Sequence, residues 1–180
     1  MPDAVDMIMA DHREVERLFE LLKVQKDQRP LVMPTLAAML TAHSRAEEAE
    51  VYPVARDDAA QSDQIAHSQE EHAKAEDLLG RLMDCDPQSA DFDTVLHELV
   101  EAVKHHVEEE ERTVLPGMRE SLSDERRQQL GEAFALSRAK HLGEMPGEAT
   151  REELVRQAQN LGMQGASSMS KEELRRRLAQ

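Results

Sequence analysis

The feature that most constrains this chain is a duplicated pattern, H-x3-E-E-x4-P. It stands at His43, Glu47, Glu48 and Pro53, and returns 63 residues later at His106, Glu110, Glu111 and Pro116. Apolar positions travel with it, since Leu36 and Leu40 become Leu99 and Val103. A looser echo at an offset of 60 relates His12, Leu18, Phe19 and Leu22 to His72, Leu78, Leu79 and Leu82. Residues three and four apart share one face of an α-helix. The row Leu36, Leu40, His43, Glu47 therefore reads as a core stripe, and Leu99, Val103, His106, Glu110 repeats it. A chain that repeats a helix pair in this way is expected to set equivalent residues around a pseudo-twofold axis.

The remaining sequence agrees with an all-α fold. One Tyr, three Phe and no Trp, beside 33% charged residues, favour amphipathic helices over sheets. Periodicity predicts helices over about 3–26, 31–59, 62–83, 91–118 and 123–142. Pro34 is expected in the first turn of the second helix, and Pro53 is expected to kink or end it. The first four helices are expected to make a four-helix bundle, with the fifth as an extra helix, in a domain over 1–142. Gly143, Pro146 and Gly147 mark a linker over 143–149. Residues 150–180 read as a small motif of two helices, each with capping-box spacing, Thr150 to Glu153 and Ser170 to Glu173.

Charge separates these parts. The net charge is −15. From Glu148 onward six basic residues face five acidic ones, a balance of +1, which leaves −16 for the rest. An acidic bundle repels nucleic-acid phosphate; the near-neutral tail does not share that bias. Cys85 is the single cysteine, so no intrachain disulfide forms, which is compatible with a reducing cytosol. No apolar run approaches the roughly 20 residues of a membrane span, and no signal-peptide core is visible. The expectation is a soluble cytoplasmic protein with no membrane partner.

The stripes carry the chemistry. A Glu inside an apolar stripe is costly unless its charge is compensated. Two at equivalent places, each one turn after a His, call for a shared positive partner. His12 lies in a stripe with Ile8, Val15 and Phe19, and His72 in one with Ile65 and Leu79. Four imidazoles and two carboxylates, His12, His43, Glu47, His72, His106 and Glu110, thus point to one place. Such nitrogen and oxygen donors suit iron, manganese or zinc, and bundle cores are a setting for dinuclear sites. Glu47 and Glu110 are expected to bridge two ions, with the imidazoles as terminal ligands and oxide or hydroxide balancing the remaining charge. Glu48 and Glu111 lie off the main face, either solvated or supporting a ligand His. His67, His97, His105 and His141 fall outside the stripes. None of the eight His has a Glu three residues before it, so the E-x-x-H pattern of ferritin-like carboxylate sites is absent. Zinc-hydrolase, P-loop and nucleophile-elbow signatures are absent too.

On these residues, over roughly 3–120, the chain resembles the hemerythrin and HHE cation-binding family. The resemblance implies an up-down-up-down four-helix bundle with a non-haem di-iron centre, two Fe ions with an oxo or hydroxo bridge, that binds or senses dioxygen, peroxide or nitric oxide. It also allows catalase- or peroxidase-like turnover of peroxide. Oxygen-carrying members place a second His one turn from the third-helix ligand, where this chain has Ser68 and Glu76. That leaves one ligand fewer on this helix, or brings in Glu76, and favours redox chemistry or sensing over reversible oxygen carriage. The segment Thr150 to Leu154, with Leu161-Gly162-Met163, Gly165 and Met169 to Leu174, resembles SAP-like and Rho N-terminal-like helix-extension-helix motifs. That likeness implies a nucleic-acid partner through Arg175, Arg176 and Arg177, or a protein partner.

Overall fold

The computed structural model describes residues 2–179, and these contain helices and turns with no strand. Nine α-helices follow in order: α1 (Ala4–Val24), α2 (Arg29–Ala46), α3 (Tyr52–Asp57), α4 (Ser62–Asp84), α5 (Ala90–Arg112), α6 (Val114–Ser121), α7 (Asp124–His141), α8 (Arg151–Asn160) and α9 (Lys171–Leu178). The expected helical bundle is present. Side chains of Asp3, Ser89, Ser123, Thr150 and Ser170 accept from backbone N–H groups at the starts of α1, α5, α7, α8 and α9. These groups would otherwise lack partners. No helix among the described residues is long and apolar enough to cross a membrane.

Both repeated helices are interrupted ahead of their prolines, the second as expected at Pro53. The second starts at Arg29 with Pro30 in its first turn, so Pro34 lies inside it. Glu47–Val51 then form a π turn before α3. Pro53 has no N–H for the Ala49 carbonyl four residues back, and Arg156 Nη1 donates to that carbonyl at 3.0 Å. The fourth helix breaks at Thr113, whose φ of −122° and ψ of −62° leave the helical region, and resumes as α6. Gln61 Nε2 donates to the carbonyls of Thr113 (3.2 Å) and Val114 (3.3 Å) across the break. The two prolines thus receive different solutions, one wide turn and one break.

The core lies in two clusters. One gathers Val15, Phe19, Leu36, Leu40, Leu79, Leu82, Leu99 and Val103 with their neighbours. The other gathers Ile8, Ala46, Val51, Tyr52, Ile65, Val114, Leu115, Met118, Leu130 and Phe134. On each main helix the His or Glu of the repeat sits between the two clusters. Below them, the fully buried Arg29 donates to the carbonyls of Leu22 (2.9 Å) and Pro87 (2.7 Å) and pairs with Asp93 (2.5 Å), closing that end.

Helix α7 packs against α1 and α2. A Cβ at Gly131 would stand 2.3 Å from the Pro2 carbonyl oxygen, so this approach requires glycine. After α7, Ala149, Leu154, Ala158, Ala166, Met169 and Leu174 form a small core of their own. Helix α8 lies on the Glu47–Val51 turn and on α4.

Candidate metal centre

Helices α1, α2, α4 and α5 bring His12, His43, His72 and His106 to one level, all buried. Glu47 and Glu110 reach the same level and are fully buried. Glu47 Oε2 lies 3.2 Å from His43 Nε2 and 3.3 Å from His72 Nε2. Glu110 Oε2 lies 3.3 Å from His12 Nε2 and 4.0 Å from His106 Nε2. His72 Nε2 and His106 Nε2 are 3.1 Å apart. All six residues singled out in the sequence are therefore together. Two triads can be drawn, His12–His43–Glu47 and Glu47–His72–His106, and Glu47 belongs to both.

The outer nitrogens are just as ordered. His12 Nδ1 lies 2.9 Å from Glu111, His43 Nδ1 3.2 Å from Asp11, His72 Nδ1 3.3 Å from Glu48 and His106 Nδ1 3.0 Å from Glu71. A carboxylate only accepts, so each Nδ1 carries a hydrogen and each Nε2 faces inward, where it offers a lone pair once the ring is neutral. Both oxygens of Glu47 and of Glu110, with the Nε2 atoms of His12 and His43, have no hydrogen-bond partner although they are buried. Leaving buried carboxylates unpaired costs several kcal/mol each, on the order of the penalty for an isolated ion. Inward lone pairs, unpartnered carboxylates and carboxylate-anchored imidazoles are the donor set and outer support that cations require.

The matching family model is the hemerythrin HHE cation binding domain, over residues 3–117. The chain belongs to this family. A solved hemerythrin HHE cation binding domain-containing protein from Mycobacterium kansasii shares the fold, with a TM-score of 0.70 and 24% identity over 79% of this chain and 89% of that one. A protein from Nostoc sp. strain PCC 7120 named DNA nickase is 29% identical over 147 residues. That match takes in 81% of this chain and spans 42% of the relative's length.

Within this HHE domain the outer carboxylates obey the repeat. Asp11 and Glu71 are 60 apart and serve His43 and His106; Glu48 and Glu111 are 63 apart and serve His72 and His12. Each acid is the chain neighbour of one inward residue and supports a different one on another helix. Glu48 and Glu111 thus settle as supports rather than solvated groups. Asp11 and Glu71 escaped the sequence reading. The signal for them was an acidic residue immediately before both His12 and His72.

Asymmetry enters on the His72 side. Tyr52, buried at the position equivalent to Leu115, sets its hydroxyl 2.9 Å from His72 Nε2. Ser68 is buried beneath the same helix face. Glu76 does not join the centre, because Arg45 (2.5 Å) and the backbone N–H of Gly147 (2.7 Å) hold its carboxylate. Arg45 is also 3.1 Å from Glu48. From α8, Gln157 Nε2 donates to Glu48 at 2.9 Å, and Asn160 Nδ2 to the Glu48 carbonyl and to Gln69, both at 3.0 Å. The C-terminal unit is thereby wired to the support of His72. His141 fastens the same junction through Glu144 (2.7 Å) and Glu153 (3.4 Å). Gln157→Ala is expected to weaken cation binding about tenfold, the lower range for lost outer support; competition with a chromophoric chelator reads it.

Without cations, protons must balance the carboxylates. Burial opposes charge on His43, but Glu47 and Asp11 overcome it and raise its pKa to about 10. Burial likewise opposes charge on His72, and Glu47 with Glu48 brings it to about 9. Burial raises the Glu48 carboxyl, yet His72 and Arg45 hold it at about 2. A raised His pKa stabilises the folded state fully below the unfolded value of about 6.5. That contribution is lost as pH rises through about 9 to 10. The depressed Glu48 stabilises above its unfolded value and loses this as pH falls toward about 2. Metal-free protein is therefore expected to melt at progressively lower temperature from about pH 6.5 to pH 10. Calorimetry on chelated samples checks this, and a flat profile across that range would contradict the assignment.

Proposed function

We propose that this HHE protein holds two iron ions between Glu47 and Glu110, one facing His12 and His43 and the other facing His72 and His106, and that it binds or senses dioxygen, peroxide or nitric oxide there. The observation that carries the reading is the shared buried carboxylate Glu47, which stands 3.2 Å and 3.3 Å from imidazole nitrogens of the two different pairs. When bound, paired iron supplies electron exchange with small oxidants. The chain supplies the rest. Val15, Leu40, Ala75, Val103 and Val107 close a cavity of about 20 Å³ against the four imidazoles. That is room for about one water-sized molecule, so the space beside the imidazoles suits a small ligand and not a bulky substrate. Asp11, Glu48, Glu71 and Glu111 hold the imidazole rings in one tautomer and orientation. Arg45, Gln157 and Asn160 connect Glu48 to α8, a route by which a change at His72 reaches residues 150–178.

The test is hydrogen exchange of residues 150–178 in apo, reduced and oxidised protein. Sensing requires protection of α8 to differ among the three. Identical exchange in all of them would sink it, while leaving small-ligand binding to be read from the optical spectrum.

A second reading, catalase-like decomposition of peroxide, is favoured by Tyr52. Its buried hydroxyl borders His72 Nε2, and burial with the charges of Glu47 and Glu110 keeps it protonated well above its usual range. It is a proton held against the His72 side of the centre. Turnover converts two peroxides into two waters and one dioxygen, so steady oxygen release from excess peroxide identifies it. In that case Tyr52→Phe is expected to slow release about a hundredfold or more, in the range for a lost proton donor. Bleaching that ends after one equivalent would rule turnover out. Nucleic-acid association through residues 150–180 finds less support. Arg175 is engaged by the Gly147 carbonyl and Arg177 by Glu173.

A further inference from the structure

A second cluster lies on the outer side of α4 and α5. His67 and Glu71 stand one turn apart on α4, and His105 faces them from α5. The Glu71 carboxylate looks two ways. Its Oε2 accepts from His106 Nδ1 at 3.0 Å. Its Oε1 lies 3.4 Å from His67 Nε2 and 3.4 Å from His105 Nε2. That oxygen is buried and makes no hydrogen bond, whereas the two imidazoles are 53% and 63% exposed. Exposed imidazoles have many directions open to them, yet both turn to one unpartnered oxygen. The three donor atoms lie within 4.8 Å of one another. Donors about 2.1 Å from a tetrahedral ion are about 3.4 Å apart, which is the spacing seen for both His–Glu pairs.

The geometry points to a third metal site, in which His67, Glu71 and His105 bind a divalent first-row transition ion at the surface. Two imidazoles and a carboxylate suit iron, zinc or copper better than magnesium or calcium. The exposed side of the site leaves remaining positions to water, so the ion exchanges with solvent. Glu71 joins it to the inner centre. An ion on Oε1 withdraws charge from the carboxylate, weakens the acceptor for His106 Nδ1–H, and makes His106 a poorer donor inward. Binding at the outer site does not depend on the di-iron reading; the effect through His106 does.

The test is equilibrium dialysis of the full-length, iron-loaded protein against micromolar zinc, with both metals counted. The expected result is about one zinc per chain with the iron retained, and an optical shift of the inner centre on zinc addition. His67→Ala, His105→Ala and the milder His105→Gln are expected to weaken zinc at least about tenfold, as loss of a ligand does, with the iron content unchanged. Equal zinc uptake by wild type and the His67→Ala/His105→Ala double variant would overturn the site. So would zinc that enters only as iron leaves. When the inner centre carries no iron, the outer site is read from the zinc that wild type binds beyond the double variant, so failure of that reading and failure of this one are told apart.

Discussion

Stripping the cations with a chelator is expected to lower the melting temperature by about 8–32 °C. The two carboxylates Glu47 and Glu110 are fully buried and unpartnered. Without the ions, protons must offset these charges, and burial opposes the charged form of His12, His43 and His72. A ligand present at a thousandfold excess over its Kd stabilises the folded state by about 4 kcal/mol per site. For a chain of this size 1 kcal/mol moves the melting temperature by about 2–4 °C. One or two sites thus give the stated range. Scanning calorimetry of loaded and chelated samples at one pH measures it. An unchanged transition after verified removal would mean that the buried His and Glu are balanced without cations.

The second large effect belongs to Glu47→Gln. Glutamine keeps the volume, but it removes the charge that both triads share and turns an amide toward His43 or His72. In the proposed two-ion centre both ions would lose a ligand at once. Metal content is expected to fall from two ions per chain to less than one after gel filtration, with the helical circular dichroism retained. Glu76→Gln is the control. Its carboxylate faces Arg45 and Gly147 rather than the centre, so metal content should stay at the wild-type value. If Glu47→Gln kept two ions, the bridging role would be wrong.

What the sequence made legible and what it did not follow one physical rule. Four of the six inward residues announce themselves because H-x3-E inside an apolar stripe is locally expensive and occurs twice, and His12 and His72 follow from their own apolar stripes and the looser echo between them. The bundle follows from the same stripes. Neither the π turn at Glu47 nor the break at Thr113 is visible there, because both H-x3-E-E-x4-P copies carry the same proline. The difference lies in what reaches the interrupted backbone, Arg156 in one case and Gln61 in the other. Tyr52 was hidden for a similar reason. It marks a point where the two halves differ, and symmetry had been the guide. Gln157, Asn160 and the Glu76–Gly147 contact join residues that are 71 to 112 positions apart, and no local pattern encodes such pairings. A tail set off by glycine and proline therefore reads as separate, although it packs on the support of His72.

The most direct measurement is metal content per chain with an optical spectrum, on anaerobically purified protein, before and after air and then peroxide. The account predicts two irons per chain and near-ultraviolet bands that respond to the oxidant. No metal, or a single zinc with a spectrum indifferent to oxidant, would contradict it.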